Sequence, residues 1–468
     1  MIPYFPKQIS YRAILVYLAA LLAISIFYSN YAMSFGYMAA GLLCVVGFFL
    51  GSSEWSKGSR ALPEKQFLTQ VFIVAFVLRL IWVVFSYFFY TNVTGIPFEF
   101  QARDSLGYHE EAAWLSEEGW ETTLYYLFES GFNNIADTGY PLYLTFIYWI
   151  FGPSIIIPRI IKVLLGAYMC ILIYKLCQRT FNDSVAKMVA IMYCLMPNFI
   201  IYCGYHLKET EMLFLEVLFL ERTDYLLRAK KWNFINILIP MLLAGILFLF
   251  RTVMGAACVF AFLTSVLLIN TPSMKKGWKR TAIIGWGLAA VLVAGGGTIM
   301  TEVEGLWEDK DDQLTRKRTE QTLRGNQWAK YATGTVMAPM VVVLPFSTMI
   351  DVDEQYGQQE KHGGNFIRNF MGIFALLAIY EAFRRKEWRN FALIGSFVVA
   401  YLGVVSLSGF SNSERFLLPG LPGLIMMWAY GVSTLREKTW KLVTPWCIIV
   451  FVMEFAWAFF KLGSRGLM

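Results

Sequence analysis

Charge is scarce in this chain, and so are the residues from which metal centres and disulfide frameworks are built. Of 468 residues only 16% are charged, 7 are cysteine and 3 are histidine. Soluble domains carry about a quarter charged residues, so an ordinary water-soluble globule is excluded. Cys44, Cys170, Cys177, Cys194, Cys203, Cys258 and Cys447 lie mostly within or at the ends of apolar runs. No pair has metal-ligand or disulfide spacing, and they read as small core residues. No stretch alternates with the period of a membrane β-barrel, and no two-fold internal repeat marks the halves of a transporter. The first apolar run follows Lys7 and Arg12 without a convincing cleavage site, so it reads as a retained anchor.

What the chain has instead is apolar length: 57% of it is hydrophobic and 17% aromatic. Cutting at the charge clusters leaves runs of about 18–24 residues, enough to cross roughly 30 Å of hydrocarbon as helix. The expected fold is an all-α polytopic membrane bundle of about thirteen transmembrane helices. Their expected positions are 13–30, 33–51, 67–90, 155–174, 184–205, 210–227, 233–250, 253–270, 281–300, 366–383, 391–408, 416–433 and 443–460. This divides the chain into an N-terminal hairpin (1–66), a transmembrane core (67–300) with a long outer loop (91–154), a second outer loop (301–365) and C-terminal helices (366–468).

Charge placement orients the bundle. Alternating sides from a cytoplasmic N-terminus, the inner segments hold 23 of the 40 Lys and Arg residues, in clusters such as Lys275–Arg280 and Arg384–Arg389. The outer segment 91–154 holds one, Arg103. That is the positive-inside asymmetry, and the net charge of +7 reflects topology and gives no sign of a nucleic-acid partner. "TGYPLYLTFIYWIFG" (138–152) is apolar but short for a crossing, and a span there would put Lys175 and Arg179 outside. It is expected to be an interfacial or re-entrant helix. Mixed-charge 301–334 and "APMVVVLPFSTMI" after it read as further interfacial segments.

This topology gathers ionisable groups on one face: Asp104, His109, Glu110, Glu111 and Asp137; His206, Lys208 and Glu209; Arg251; His362; Glu414 and Arg415. Ionisable residues at membrane-proximal helix ends are functional candidates. Asp104, Tyr108, Glu111 and Ala112 share one helical stripe, although Asp104 could equally cap that helix. Lys208 and Glu209 could be a snorkelling pair, and Arg251 and Arg415 could bind headgroup phosphate generically. Glu117, Glu118 and Glu121 read as a solvated face, and His109 alone as a surface histidine. Arg79 and Lys162 should face the bundle, and Glu216 and Glu454 are buried acids without an evident role. A carboxylate that can take a proton from an attacking hydroxyl, beside cations that can hold a departing phosphate, suits group transfer from a lipid phosphate.

These residues resemble a known pattern. "DSLGYHEEA" matches an Asp-x3-Tyr-x3-Ala motif through Asp104, Tyr108 and Ala112. "GYPLYLTFIYWIFGPSIIIPR" carries Gly139, Tyr140, Pro141, Phe151, Gly152 and Arg159 in order. Glu209 opens a span, Arg251 sits in a later hairpin, and Arg415–Pro419 forms an Arg-aromatic-Leu-Leu-Pro signature. In this order the motifs resemble the GT-C superfamily of integral-membrane glycosyltransferases, on the branch of protein O-mannosyltransferases and the lipid A aminoarabinose transferase. The resemblance covers 67–270, and 366–433 more loosely. Two spans precede its first helix, and position 209 holds Glu where Asp is commoner. An extramembrane C-terminal domain, usual in the oligosaccharyltransferase branch, is not expected.

The resemblance implies an inverting glycosyltransferase of the plasma (inner) membrane with its site on the extracytoplasmic side. A sugar would pass from a polyprenyl-phosphate donor to a lipid, glycan or protein acceptor. Asp104 would be the general base or acceptor-orienting carboxylate. Glu209 would be the second acid, orienting the acceptor or a divalent metal ion. Lys208, Arg251 and Arg415 would hold the donor phosphate, with Tyr108, His109, Tyr140 and His206 as further substrate-binding residues. A lipid-linked glycan polymerase or ligase, and a transporter or flippase, are the alternatives.

Overall fold

A computed structural model describes residues 2–126, 137–230, 232–269, 340–352, 355–407 and 413–467, with isolated positions 281, 285 and 287. Among these residues helices are the regular elements, apart from one isolated antiparallel bridge between Ala32 and Ile350. In chain order they are α1 (Lys7–Phe27), α2 (Phe35–Gly58), α3 (Glu64–Thr94), α4 (Arg103–Glu118), α5 (Trp120–Tyr125), α6 (Gly139–Phe151) and α7 (Ile156–Thr180). There follow α8 (Asp183–Leu195), α9 (Pro197–Ile201), α10 (Glu209–Arg228), α11 (Phe234–Phe250) and α12 (Thr252–Leu268). After the undescribed stretch come α13 (Tyr356–Arg384), α14 (Ala392–Leu407), α15 (Glu414–Leu417), α16 (Leu421–Ser433), α17 (Glu437–Trp440) and α18 (Val443–Gly463).

Eight described helical segments are long and apolar enough to cross a membrane, or nine if α8 and the stretch from α9 to Gly204 form one broken span. The all-helical membrane bundle is therefore present, with eight or nine of the described segments meeting the length and apolarity of a span. The helices α11 and α12 are apolar but have only 17 residues each, about 25 Å of helix at 1.5 Å per residue. The helix α10 is long enough but buries Glu209, Glu211, Glu216, Glu221 and Asp224. The expected 281–300 span lies outside the described residues, apart from the three isolated positions 281, 285 and 287, as does most of the loop 301–365. The 13-residue α6 agrees with a segment too short to span.

Internal partners let α10 carry its acids. Arg179 of α7 reaches Glu221 at 2.9 Å and Asp224 at 2.8 Å, and Lys162 reaches Glu211 at 3.5 Å. Both oxygens of Glu216 lack a hydrogen-bond partner among the described residues. Arg79 faces the bundle as expected, but it donates to the carbonyls of Ala75 and Cys194 and pairs with no described acid. Gly166 makes room for it, since a Cβ there would lie 2.7 Å from Arg79 Nε.

The break between α8 and α9 falls at Met196–Pro197 and bends the chain by 52°. Proline has no N–H and pushes the residue before it out of the helical region, and Met196 has ψ 115°. Two expectations for the later loop need correction. His362 is not in a loop: it is buried inside α13, where Tyr17 meets its Nε2 at 2.8 Å. The segment 341–350, expected to be interfacial, is largely buried in the bundle, has no helix, and is held by Asn369, which donates to the Pro345 carbonyl at 2.8 Å.

The helices α13 and α16 meet backbone to backbone. A Cβ on Gly431 would lie 2.0 Å from the Phe374 carbonyl oxygen, which cannot swing aside. Gly431→Ala should cost about 1–3 kcal/mol through overpacking. Gly403→Ala, where no atom lies within 4 Å of the added Cβ, should be neutral or stabilising. Thermal denaturation of the two variants in detergent compares them directly, and equal melting temperatures would refute the close packing.

Candidate active site

Where α3 ends, Gly95 adopts φ 81°, a left-handed conformation suited to glycine, and the chain turns into the loop before α4. Asp104 lies in the first turn of α4, but the helix has no side-chain cap, and Ala102 occupies the cap position. The carboxylate instead meets a residue 311 positions away: Arg415 donates to Asp104 through Nη1. Through Nε the same guanidinium donates to Oε1 of Glu209, 206 positions away. Arg251 Nη2 approaches that oxygen at 3.4 Å, while its Nη1 donates to Tyr401 at 3.1 Å. Two carboxylates and two guanidinium groups from four separate elements thus form one continuous cluster.

The two ends of the cluster differ in access. The side chain of Glu209 is 0% exposed and that of Asp104 is 55% exposed, with Arg415 at 20% between them. A planar guanidinium can serve two acids at once, which an ammonium ion does less well. The second oxygen of Glu209 has no partner among the described residues.

Lys208 and Glu209 do not form a snorkelling pair. Lys208 pairs with Asp137 and donates to the Phe250 carbonyl at 2.5 Å. Burial, and then the charge of Arg251, push its ammonium well below the usual lysine range. Tyr108 donates to Asp137 at 3.5 Å and stands edge-on to Tyr140, with ring centroids 5.1 Å apart. Tyr140 is buried and has Lys162 5.2 Å from its ring centroid. Gly139 lets α6 approach the end of α11, because a Cβ there would press on Phe250 at 2.8 Å. Glu111, on the same stripe of α4, accepts from Tyr126.

His109 and His206 form a relay of their own beside the cluster. Tyr148 joins them, at 2.7 Å from His109 Nδ1 and 3.2 Å from His206 Nε2. The backbone N–H of His206 also points to Glu99 at 3.5 Å, and Ser105 donates to the same carboxylate. His109 is therefore a half-buried positioned group, not a surface histidine. Burial lowers both imidazoles, His206 the further because it is more deeply buried and because Lys162, Arg159 and His109 add positive charge. An unfolded histidine gains a proton as pH falls through about 6.5, whereas folded His206 resists it. The sign follows: stability is full above that pH and declines as pH falls through the depressed folded value. Melting temperature should fall between pH 7 and pH 5, with His206→Gln flattening the fall; an unchanged slope in the variant would exclude this residue as the cause.

The donor set does not fit a divalent metal ion. Glu209 Oε1 is shared by two guanidinium groups and Asp104 by one, so positive charge already fills the space between the acids. Among the described residues no group of three His, Cys, Asp or Glu side chains could hold a metal.

Several neighbouring polar residues carry little signal in the sequence. Lys361 pairs with Glu414 at 3.2 Å, Asn198 also donates to Glu414, and Tyr202 reaches it at 3.4 Å. Tyr90 and Tyr205 donate to Glu360 at 2.5 and 2.9 Å. The available signals were polar residues inside apolar helices, such as Asn198 just after Pro197. Glu99, Tyr148 and Tyr401 carried no comparable mark. Comparison with protein-family models gives no match, and neither does comparison with curated proteins.

Proposed function

We propose that this protein is a glycosyltransferase that moves a sugar from a polyprenyl-phosphate donor to an acceptor hydroxyl at the outer face of the plasma membrane. The observation that carries the reading is Arg415, held between an accessible carboxylate and a buried one at the loop end of an apolar helical bundle. Asp104, Glu209, Arg251 and Arg415 are among the residues on which the GT-C resemblance rests, with Glu at 209 where Asp is commoner, and the thirteen-span topology would put all of them outside.

In the proposed reaction the acceptor oxygen attacks the anomeric carbon from the face opposite the phosphate. The new carbon–oxygen bond forms as the bond from that carbon to the phosphate oxygen breaks, inverting the centre. The acceptor proton goes to Asp104, and the polyprenyl phosphate leaves with the bonding pair. Arg415, Arg251 and Lys208 stabilise the negative charge that grows on the leaving phosphate. Before donor binds, Arg415 holds Asp104. The incoming phosphate competes with the exposed Asp104 contact and not with the buried Glu209 contact. Donor binding thereby frees the base, while Glu209 keeps the guanidinium aimed.

The test is transfer by the purified full-length chain in detergent, with radiolabelled polyprenyl-phosphate sugars and hydroxyl acceptors. Release of polyprenyl phosphate with formation of a labelled product supports the reading. Movement of lipid across proteoliposomes without bond cleavage would replace it with a flippase. The broken α8–α9 helix is the observation that favours that second reading, because transporters build sites at such breaks.

A further inference from the structure

A second feature lies on the bundle's flank. A cavity of about 970 Å³ opens between α2, α3 and α9, with the start of α13 at one end. Its floor on α2 is made of small residues, Gly36, Ala40, Cys44 and Gly47, and its opposite wall includes Trp82 and Phe85 of α3. Phe85 is 52% exposed and Leu43 is 74% exposed, so the groove faces the surroundings of the bundle, where a membrane protein meets lipid. From Gly36 to Gly47 the helix rises about 16 Å, close to half of the roughly 30 Å hydrocarbon layer. That length fits one chain of one leaflet.

The groove is not wholly apolar. Glu360 contributes a carboxylate to its wall at the end where α3 leads into the outer-loop segment. Tyr90 and Tyr205 donate to its two oxygens. No lysine or arginine among the described residues pairs with it, and the adjacent Lys361 turns to Glu414. Among the described residues no lysine or arginine lines the groove. Two tyrosine hydroxyls and the neighbouring charge of Lys361 hold this carboxylate, and a cation in direct contact would stabilise it further. Tyr37 and Tyr356 also line the groove, and aromatic rings attract a cation.

We propose that this groove is a binding site for an ammonium-headed phospholipid, its acyl chain lying along α2 and α3 and its ammonium group on Glu360. The groove's lining includes none of Arg415, Arg251 and Lys208, which would recognise phosphate at the proposed donor site. It requires only that the bundle lie in a bilayer, and so does not depend on the transfer reaction.

Native mass spectrometry of the full chain, titrated with phosphatidylethanolamine, phosphatidic acid and diacylglycerol of matched chains, tests this. Phosphatidylethanolamine should bind at least about tenfold tighter than either of the others, as a charge-assisted contact allows. Gly47→Leu fills open space, since no atom lies within 4 Å of an added Cβ, and should weaken binding by a similar factor without disturbing the fold. Glu360→Gln should keep chain binding and lose the preference for the ammonium head. Equal binding of phosphatidic acid, or a Gly47→Leu variant that binds like wild type, overturns the site. Diacylglycerol bound as tightly as phosphatidylethanolamine overturns the ammonium assignment. A protein with this lipid profile and no transferase activity would refute the proposed reaction alone, and an active one without the profile would refute this site alone.

Discussion

Asp104→Asn is expected to lower sugar transfer by about two to four orders of magnitude, the usual contribution of a positioned base. The substitution keeps shape and an oxygen that can still accept from Arg415, but removes the group that takes the acceptor proton. Stability should hardly change, because the Asp104 side chain is 55% exposed and an ion pair in contact with water contributes little. Expression, detergent extraction and melting temperature should match wild type, and donor affinity should be unchanged or improved, since the amide competes less well for Arg415. Turnover in the reconstituted transfer assay is the deciding measurement. A rate near wild type would remove Asp104 from the base role and leave it as a contact that merely parks Arg415.

The sequence made some of this legible and not the rest. Apolar length identifies helices because lipid forces the backbone to bond with itself, and the twelve expected spans in described regions each coincide with a helix, the broken α8–α9 pair or the α15–α16 stretch. The start of α13 is not legible in the sequence because "YGQQEKHGG" is polar and glycine-rich, which locally favours a loop. Packing overrides that preference: a Cβ on Gly363 would lie 2.9 Å from the Gly41 carbonyl oxygen, and one on Gly364 2.1 Å from Asn198 Oδ1. The glycines are there so that α13 can touch α2 and α9. In the same way, the periodicity of α4 placed Asp104, Tyr108 and Ala112 on one stripe. It could not say that Arg415 would reach that stripe, because no local pattern encodes a contact across 311 residues. The positive charges on the loop side were visible one at a time; that one guanidinium serves both acids is a property of the fold.

Arg415 should accordingly be the most damaging position to alter. Arg415→Ala leaves Glu209 fully buried with only the longer Arg251 contact, and breaking a buried pair from one side costs about 3–5 kcal/mol. The variant should be destabilised as well as inactive, which by itself would not separate structure from chemistry. Arg415→Lys and the double substitution Arg415→Met with Glu209→Gln make that separation. Lysine restores a positive charge beside Glu209 and should recover much of the stability. It lacks the planar fork that reaches both acids, so donor affinity should stay weakened. The double variant removes both charges of the inner pair, so it should melt nearer to wild type than Arg415→Ala does. It should still fail to transfer sugar, because the group facing the departing phosphate is gone. Thermal melts and donor-binding isotherms on the four proteins carry the comparison. A double variant that regained both stability and transfer would reduce the Arg415 cluster to a structural clasp, and the proposed chemistry would then have to sit elsewhere in the bundle.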